Sequence, residues 1–257
     1  MRGMDADTVQ RLLDLNRQFY QTFALHFSAT RQRLQPGVMR ILDRLQPGEQ
    51  TAVGGFRPAG AVLNLLELGC GNGKLAREIA ARGFHGDYVG VDLTPHFLQT
   101  AGESLEGRSG FMFLQSDLSE PDWDHPLPHR AYDAILAFAV LHHLPGETIR
   151  RKVLERARAL ISPGGRFYLS AWQPLNSQRL RSRLQPWKAI GLAEGQVDPG
   201  DILIDWRQGG EGLRYVHVYS QSELERLAAT AGYEVEETFY SDGEGGRLGI
   251  YQIWKVV

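Results

Sequence analysis

The sequence predicts an α/β domain with a doubly wound, mostly parallel seven-stranded sheet, an antiparallel last strand, N-terminal helices and an insertion after strand five. Three observations carry this. Between residues 62 and 171, short apolar runs alternate with helical patterns, the rhythm of parallel strands joined by crossover helices. The rhythm breaks at 172–217, a stretch without clear periodicity, and resumes at Ser220. The last two apolar runs are joined by the Gly-rich turn 242–246, which leaves no room for a crossover and pairs them antiparallel.

From Val9 to Phe27, Leu12, Leu13, Phe19, Tyr20 and Phe23 recur at helical spacing, with Asp7 as the expected N-cap. A second helix can begin at Pro36, because proline suits a first turn. Residues 47–60 hold two prolines and four glycines and read as a loop. Val62–Leu68 is the first strand. After the loop Gly69–Gly73 comes a helix with Leu75, Ile79 and Ala80 on one face, stopped by Gly83. Tyr88–Asp92, Phe111–Gln115, Tyr132–Ala139 and Arg166–Ala171 supply the next four strands. One helix among them starts at Thr94-Pro95 and another spans Glu147–Leu160. Ser220 and Glu223 form a capping box for a helix showing Leu224, Leu227, Ala228 and Ala231, closed by Gly232. Tyr233–Tyr240 and Leu248–Val256 complete the sheet. The expectation is one domain over 1–257, with 1–46 as a helical lid and 172–217 as an insertion on the substrate side.

At 257 residues, 42% apolar and 23% charged, the chain can build a hydrophobic core without a disulfide or metal staple. Its longest uncharged apolar run, Ala134–Leu141, falls well short of the ~20 residues of a membrane span. The polar, acidic start lacks the apolar stretch of a secretion signal. The single cysteine, Cys70, excludes an internal disulfide and any all-cysteine zinc site, and points to a reducing cytoplasm. His142 and His143 are adjacent, so a regular element cannot aim both at one metal, and no metal site is expected. Charge is uneven: residues 150–188 carry ten basic side chains against one acid, in a chain of net charge −2.

Right-handed crossovers put the loops that follow the parallel strands on one edge, where open sheets bind ligands. The first of these loops reads Glu67-Leu68-Gly69-Cys70-Gly71-Asn72-Gly73-Lys74. Alternate glycines let the backbone pass close to a ligand, and the helix start offers unpaired N–H groups. Lys74 stands where a dinucleotide fingerprint needs glycine, and a P-loop's G-x-x-x-x-G-K-S/T is absent, so neither phosphate-binding reading fits. Glu67 repels phosphate but attracts an ammonium. Asp92 ends the second strand, where an acid accepts hydrogen bonds from a ribose. Asp117 follows the third, where a carboxylate accepts from an adenine amine. An amino-acid end, a ribose and an adenine without phosphate describe S-adenosylmethionine. Cys70 reads as a small buried spacer.

From Leu63 to Tyr168 these motifs resemble those of the class I S-adenosylmethionine-dependent methyltransferases. The resemblance implies the Rossmann-like methyltransferase fold and a cofactor site in the loop Glu67, Gly69, Cys70, Gly71, Asn72 and Gly73. It adds Asp92, Leu93, Asp117 and Leu118, then Ala137 and Phe138 on strand four, and Tyr20 and Arg31 from the N-terminal segment. Other segments resemble a narrower family, the methyltransferases that esterify 5-carboxymethyluridine at the tRNA wobble position. They are Ala139–Leu144 (AVLHHL), Asp201–Trp206 (DILIDW), Arg214–Tyr219 (RYVHVY) and Phe19–Pro36, with Tyr20, Phe27 and Thr30-Arg31. The chain departs from that family at Asp205 (proline there), Gln35 (tryptophan) and Val216 (an aromatic).

The narrower resemblance implies methyl transfer to a carboxylate or uridine modification in tRNA. A carboxylate, with a reference pKa of about 4, is already ionised near neutrality and needs a cation to orient it rather than a base. Arg214 and His217 in the insertion and Arg31 in the leading helix are the candidates, arginine being preferred for its planar fork, and Asp201 is a further catalytic candidate. Trp172, Trp206, Tyr215 and His142 are candidates to bind the acceptor, the aromatics by stacking on uracil. Arg150, Arg151, Lys152, Arg156 and Arg158, with Arg179, Arg181, Arg183 and Lys188, form a track for tRNA phosphates if they share the active-site side. The implied partners are tRNA and a small zinc-binding activator subunit of the kind eukaryotic relatives use; without the latter a monomer is expected. Two alternatives stay open: the same chemistry on a small metabolite, and a catalytically silent binding subunit, which the intact Glu67, Gly69, Gly71, Asp92 and Asp117 disfavour.

Overall fold

The computed structural model describes residues 3–29, 33–45, 62–128 and 131–257. Two helices lead, α1 (Ala6–Ala29) and α2 (Pro36–Leu45). The cap of α1 is Asp5, not Asp7: its carboxylate accepts from the Thr8 N–H at 2.8 Å and so satisfies a donor of the first turn. Asp7 lies inside that turn, where its charge faces the positive end of the helix dipole. The expected loop at 47–60 lies outside the described residues.

Strands β1 (Leu63–Leu68), β2 (Gly86–Asp92), β3 (Phe111–Gln115), β4 (Tyr132–Phe138) and β5 (Ile161–Trp172) follow in parallel. Between them run α3 (Lys74–Ala81), α4 (Pro95–Ser104) and α5 (Glu147–Ala159). A short helix α6 (Gln178–Arg181) and strands β6 (Leu184–Gln185), β7 (Asp201–Trp206) and β8 (Gly212–His217) fill the insertion. Helix α7 (Gln221–Thr230) and strands β9 (Tyr233–Ser241) and β10 (Gly249–Val256) close the chain. The main sheet has the order β3-β2-β1-β4-β5-β10-β9, and β10 is antiparallel to both neighbours, as the sequence predicts.

Both faces of this sheet are covered. On one, Leu66, Val89, Val91, Ile135 and Phe167 meet Val153, Leu154 and Ala157 of α5 and Leu224, Leu227 and Ala228 of α7. On the other, Leu63, Leu65, Tyr88 and Leu136 meet Ile41 and Leu42 of α2 and Leu75 and Ile79 of α3. Burial contributes about 2 kcal/mol for each such aliphatic side chain, so a charge at Leu75 or Ile79 would lift α3 off the sheet.

Two segments differ from expectation. Strand β5 begins at Ile161 rather than Arg166: Tyr132 pairs with Ile161 and Ala134 with Arg166, so Ser162–Gly165 form a bulge within the strand. The insertion, read as aperiodic, is a three-stranded antiparallel sheet of order β6-β7-β8. Both its faces are buried. Leu203 and Tyr215 pack with Leu12, Trp187 and Leu192, while Ile204 and Val216 pack with Leu180. A strand apolar on both sides shows no two-residue alternation, which hid β7 and β8 from the pattern reading.

Candidate active site

The sheet order reverses between β1 and β4, and the loops leaving them part there, the place where open α/β sheets bind ligands. A cavity of 230 Å³ lies at this point, lined by Gly69, Gly71, Asp92, Leu93, Asp117, Leu118, Phe138 and His143, among others. It is tighter than the ~300–1,000 Å³ usual for cofactor-sized ligands. Leu13, Asn16, Arg17 and Tyr20 of α1 form part of its wall.

The three glycines of the first loop all have left-handed φ, 68°, 53° and 71°, for three different reasons. A Cβ on Gly69 would lie 2.6 Å from Val140, and one on Gly73 would lie 2.7 Å from Ala101 of α4. A Cβ on Gly71 would meet nothing within 4 Å, because that residue faces the open cavity. Gly71 also donates its N–H to Asp92 at 2.9 Å, and Thr94 donates to the other oxygen at 2.9 Å. Burial pushes the Asp92 pKa up, and these two backbone donors partly offset it. At the mouth of β4, Ala139 lines the cavity with φ 58°, a conformation costing a non-glycine residue roughly 1–2 kcal/mol. Its N–H donates to the Ser170 carbonyl at 3.0 Å and lies 3.1 Å from the Ser170 hydroxyl.

Asp117 is engaged on both oxygens. Ser119 donates to one through its N–H at 2.9 Å and its hydroxyl at 2.7 Å. Arg17 donates to the other through Nε at 3.1 Å and Nη2 at 2.6 Å. Burial works to raise this carboxyl's pKa, but Ser119 and Arg17 outweigh it and hold the group below its ordinary value. Sequence reasoning missed Arg17 and Asn16. Positions 13, 16, 17 and 20 lie on one face of a helix, but the sequence does not say whether that face meets water or a cavity.

Several expected cofactor residues stand behind the cavity wall rather than in it. Glu67 is buried, takes a hydrogen bond from the Tyr88 hydroxyl, and has its pKa pushed up to about 8, chiefly by burial. It lies beneath the loop and is not part of the cavity lining. Cys70 is buried against Gly90, the spacer its size suggested. Ala137 is buried in the sheet, Gly73 packs under α4, and Asn72 contributes its carbonyl to Arg77. Arg31 lies outside the described residues.

The acceptor candidates divide by strand parity. Arg214 and Val216 face one side of β8, Tyr215 and His217 the other. Arg214 is 4% exposed, has no carboxylate within ion-pair distance among the described residues, and its Nε has no hydrogen-bond partner. It is held instead by rings: Trp172 at 4.8 Å, Phe19 at 5.4 Å and Trp206 at 5.7 Å. Burial lowers its pKa, against the pull of the neighbouring Tyr20 hydroxyl. Tyr20 in turn lies 2.8 Å from His143 Nε2, so Arg214 connects to the cavity through two residues that line it.

His217, Asp201 and Tyr215 do not join Arg214. Asp201 lies directly opposite His217 on β7, and the two meet at 2.6 Å in the buried layer beneath the sheet. There the Tyr215 hydroxyl donates to Asp201 at 2.7 Å, and Glu223 of α7 takes the other imidazole nitrogen at 2.7 Å. Positions 214 and 217 are three steps apart, an odd spacing, and on a strand that means opposite faces. His142 is likewise buried, accepting from the Trp172 N–H at 3.3 Å; its neighbour His143 is the one in the cavity. The basic track is also shortened. Arg150 is buried beneath Tyr219, Arg151 pairs with Glu155 at 2.9 Å, Arg156 with Asp124 at 2.6 Å, and Arg183 with Asp205 at 2.7 Å.

No helix among the described residues is long and apolar enough to cross a membrane. A methyltransferase-domain family model matches residues 26–238. A tRNA (carboxymethyluridine(34)-5-O)-methyltransferase of Schizosaccharomyces pombe is 25% identical over 87% of this chain and 90% of its own. The Arabidopsis thaliana protein of the same name is 29% identical over 72% of this chain, and the match covers 39% of that longer protein. The solved structure of S-adenosylmethionine-bound CalS10, an amino pentose methyltransferase from Micromonospora echinaspora, shares the fold with a TM-score of 0.60 at 17% identity. The match covers 92% of this chain and 97% of that one. Because the family match takes in the glycine loop, both cavity carboxylates and the inserted sheet, the chain belongs to the methyltransferase-domain family and is an S-adenosylmethionine-dependent methyltransferase.

Proposed function

We propose that this methyltransferase esterifies a carboxylate carried by a uridine of tRNA. The observation that carries the reading is Arg214, a buried guanidinium with no acidic partner among the described residues, held by three aromatic rings and lying beside Tyr20, which with His143 lines the cavity. A buried cation without a counter-ion costs stability, and the cost is understandable where an anionic substrate completes the pair. The two relatives named for carboxymethyluridine support the choice of acceptor.

The residues present fit the cofactor. Gly71 would let its backbone approach, Asp92 would take the ribose hydroxyls, and Leu93, Leu118 and Phe138 would wall the adenine. Asp117, neutralised by Arg17, would still offer acceptor capacity to the adenine amine. When bound, S-adenosylmethionine supplies a methyl group on a cationic sulfur, open to in-line displacement by a carboxylate oxygen. No general base is required, since the acceptor is ionised at neutral pH with a reference pKa near about 4. Arg214 would orient that oxygen, Tyr20 and His143 would hold the guanidinium in line, and Phe19, Trp172 and Trp206 would exclude water from it.

A second reading, a small carboxylic acid as acceptor, is favoured by the ion pairs that neutralise much of the basic track. Incubating the protein with labelled S-adenosylmethionine, total tRNA and a small-molecule extract separates the two. Label is expected in the RNA fraction. Label confined to small molecules would select the second reading.

A further inference from the structure

Leu13, Asn16, Arg17 and Tyr20 put one face of α1 on the cavity, while other residues of the same helix pack on the inserted sheet. Asn16 does both. Its Oδ1 accepts from the Tyr215 N–H at 2.9 Å, and its Nδ2 donates to the Tyr215 carbonyl at 3.1 Å. Since β8 is the outer strand of its sheet, the carboxamide occupies the place of the next strand and pairs both backbone groups of one residue. The same Nδ2 donates to the His143 carbonyl at 3.1 Å. One buried side chain thus ties together the lid helix, the strand bearing Arg214 and the turn bearing His143.

We infer that Asn16 is a positioning residue for methyl transfer: its carboxamide sets the separation between the His143 turn and β8, so that Tyr20 spans His143 and Arg214. Tyr20 stands one helical turn beyond Asn16, with its hydroxyl 2.8 Å from His143 Nε2. The spacing it bridges is set by backbone carbonyls, those of residues 143 and 215, and both converge on one nitrogen. Alanine at 16 would leave the Tyr215 N–H and carbonyl buried and unpaired. Aspartate would turn an oxygen toward two carbonyl oxygens and force the turn and the strand apart. Displacements of about 1 Å in such a framework cost on the order of a hundredfold in turnover.

The inference rests on the carboxylate-transfer reading for its activity arm alone. The test compares Asn16→Ala and Asn16→Asp with Leu12→Ala, a fully buried α1 position whose side chain packs with Trp187 and Tyr215 and does not line the cavity. Three quantities are read: S-adenosylhomocysteine affinity by calorimetry, methyl transfer to tRNA, and the imidazole ¹⁵N signals of His143, identified by their absence in His143→Gln. Both Asn16 variants should lose on the order of tenfold to a hundredfold in kcat, keep cofactor affinity within about twofold, and displace the His143 signals. Leu12→Ala should lose a comparable melting temperature yet keep those signals in place and kcat within about threefold. Unmoved His143 signals in Asn16→Ala, or the same losses in Leu12→Ala, would overturn the inference. If the wild type methylates no tRNA, the functional reading fails by itself, and the His143 signals still decide the role of Asn16.

Discussion

Arg214 concentrates the tension between stability and function in one side chain. Burying a guanidinium costs several kcal/mol, and three ring faces return roughly 1 kcal/mol each, leaving an unpaired Nε to add a further penalty. Arg214→Met keeps most of the volume and removes the charge. Its melting temperature is expected to stay level or rise by a few degrees, while turnover falls by at least about a hundredfold. A variant that melts well below the wild type, or that keeps its activity, would mean that Arg214 is a structural residue. Glu67 shows the same principle: burial pushes its carboxyl pKa up to about 8, and the Tyr88 hydroxyl donates to it beneath the loop.

At the scale of elements, β8 shows where a motif is legible and its geometry is not. The run Arg214–Tyr219 was recognisable, yet only the knowledge that it is a strand separates Arg214 from His217. His217 belongs to the joint between the insertion and α7. Burial pulls its pKa down, but hydrogen bonds to Asp201 and Glu223 outweigh this and hold it above the usual value. A raised histidine pKa stabilises the fold fully below the unfolded value near about 6.5, and the contribution disappears as pH rises through the folded value. His217→Gln should therefore lower the melting temperature more at pH 6 than at pH 9, with kcat within about twofold of wild type. A large loss of kcat without loss of stability would return His217 to the catalytic group. The main sheet, by contrast, was readable almost throughout, because β1 to β3 are predominantly apolar runs next to a glycine or an acid and β4 is apolar from Ala134 to Phe138. The cavity carboxylates Asp92 and Asp117 were readable too, since strand ends place them on one edge whatever the details. Asn16 and Arg17 were not: a polar residue on a helix looks the same from sequence whether it faces water or a cavity.

Across the whole molecule, folding neutralises or buries about half of the mid-chain excess of base. Arg150 goes inside, Arg166 pairs with Glu236, and Asp205 is shared by Arg183 and Arg207. Arg179, Arg181 and Lys188 stay exposed without a carboxylate within 4.0 Å among the described residues. Methyl esters are cleaved by mild alkali to release methanol, whereas methyl groups on ring nitrogen or ribose oxygen are not. The direct measurement is alkaline release of label from the methylated product. Volatile labelled methanol, lost in parallel with activity in Arg214→Met, is the predicted result; label that survives alkali on the acceptor would contradict the carboxylate.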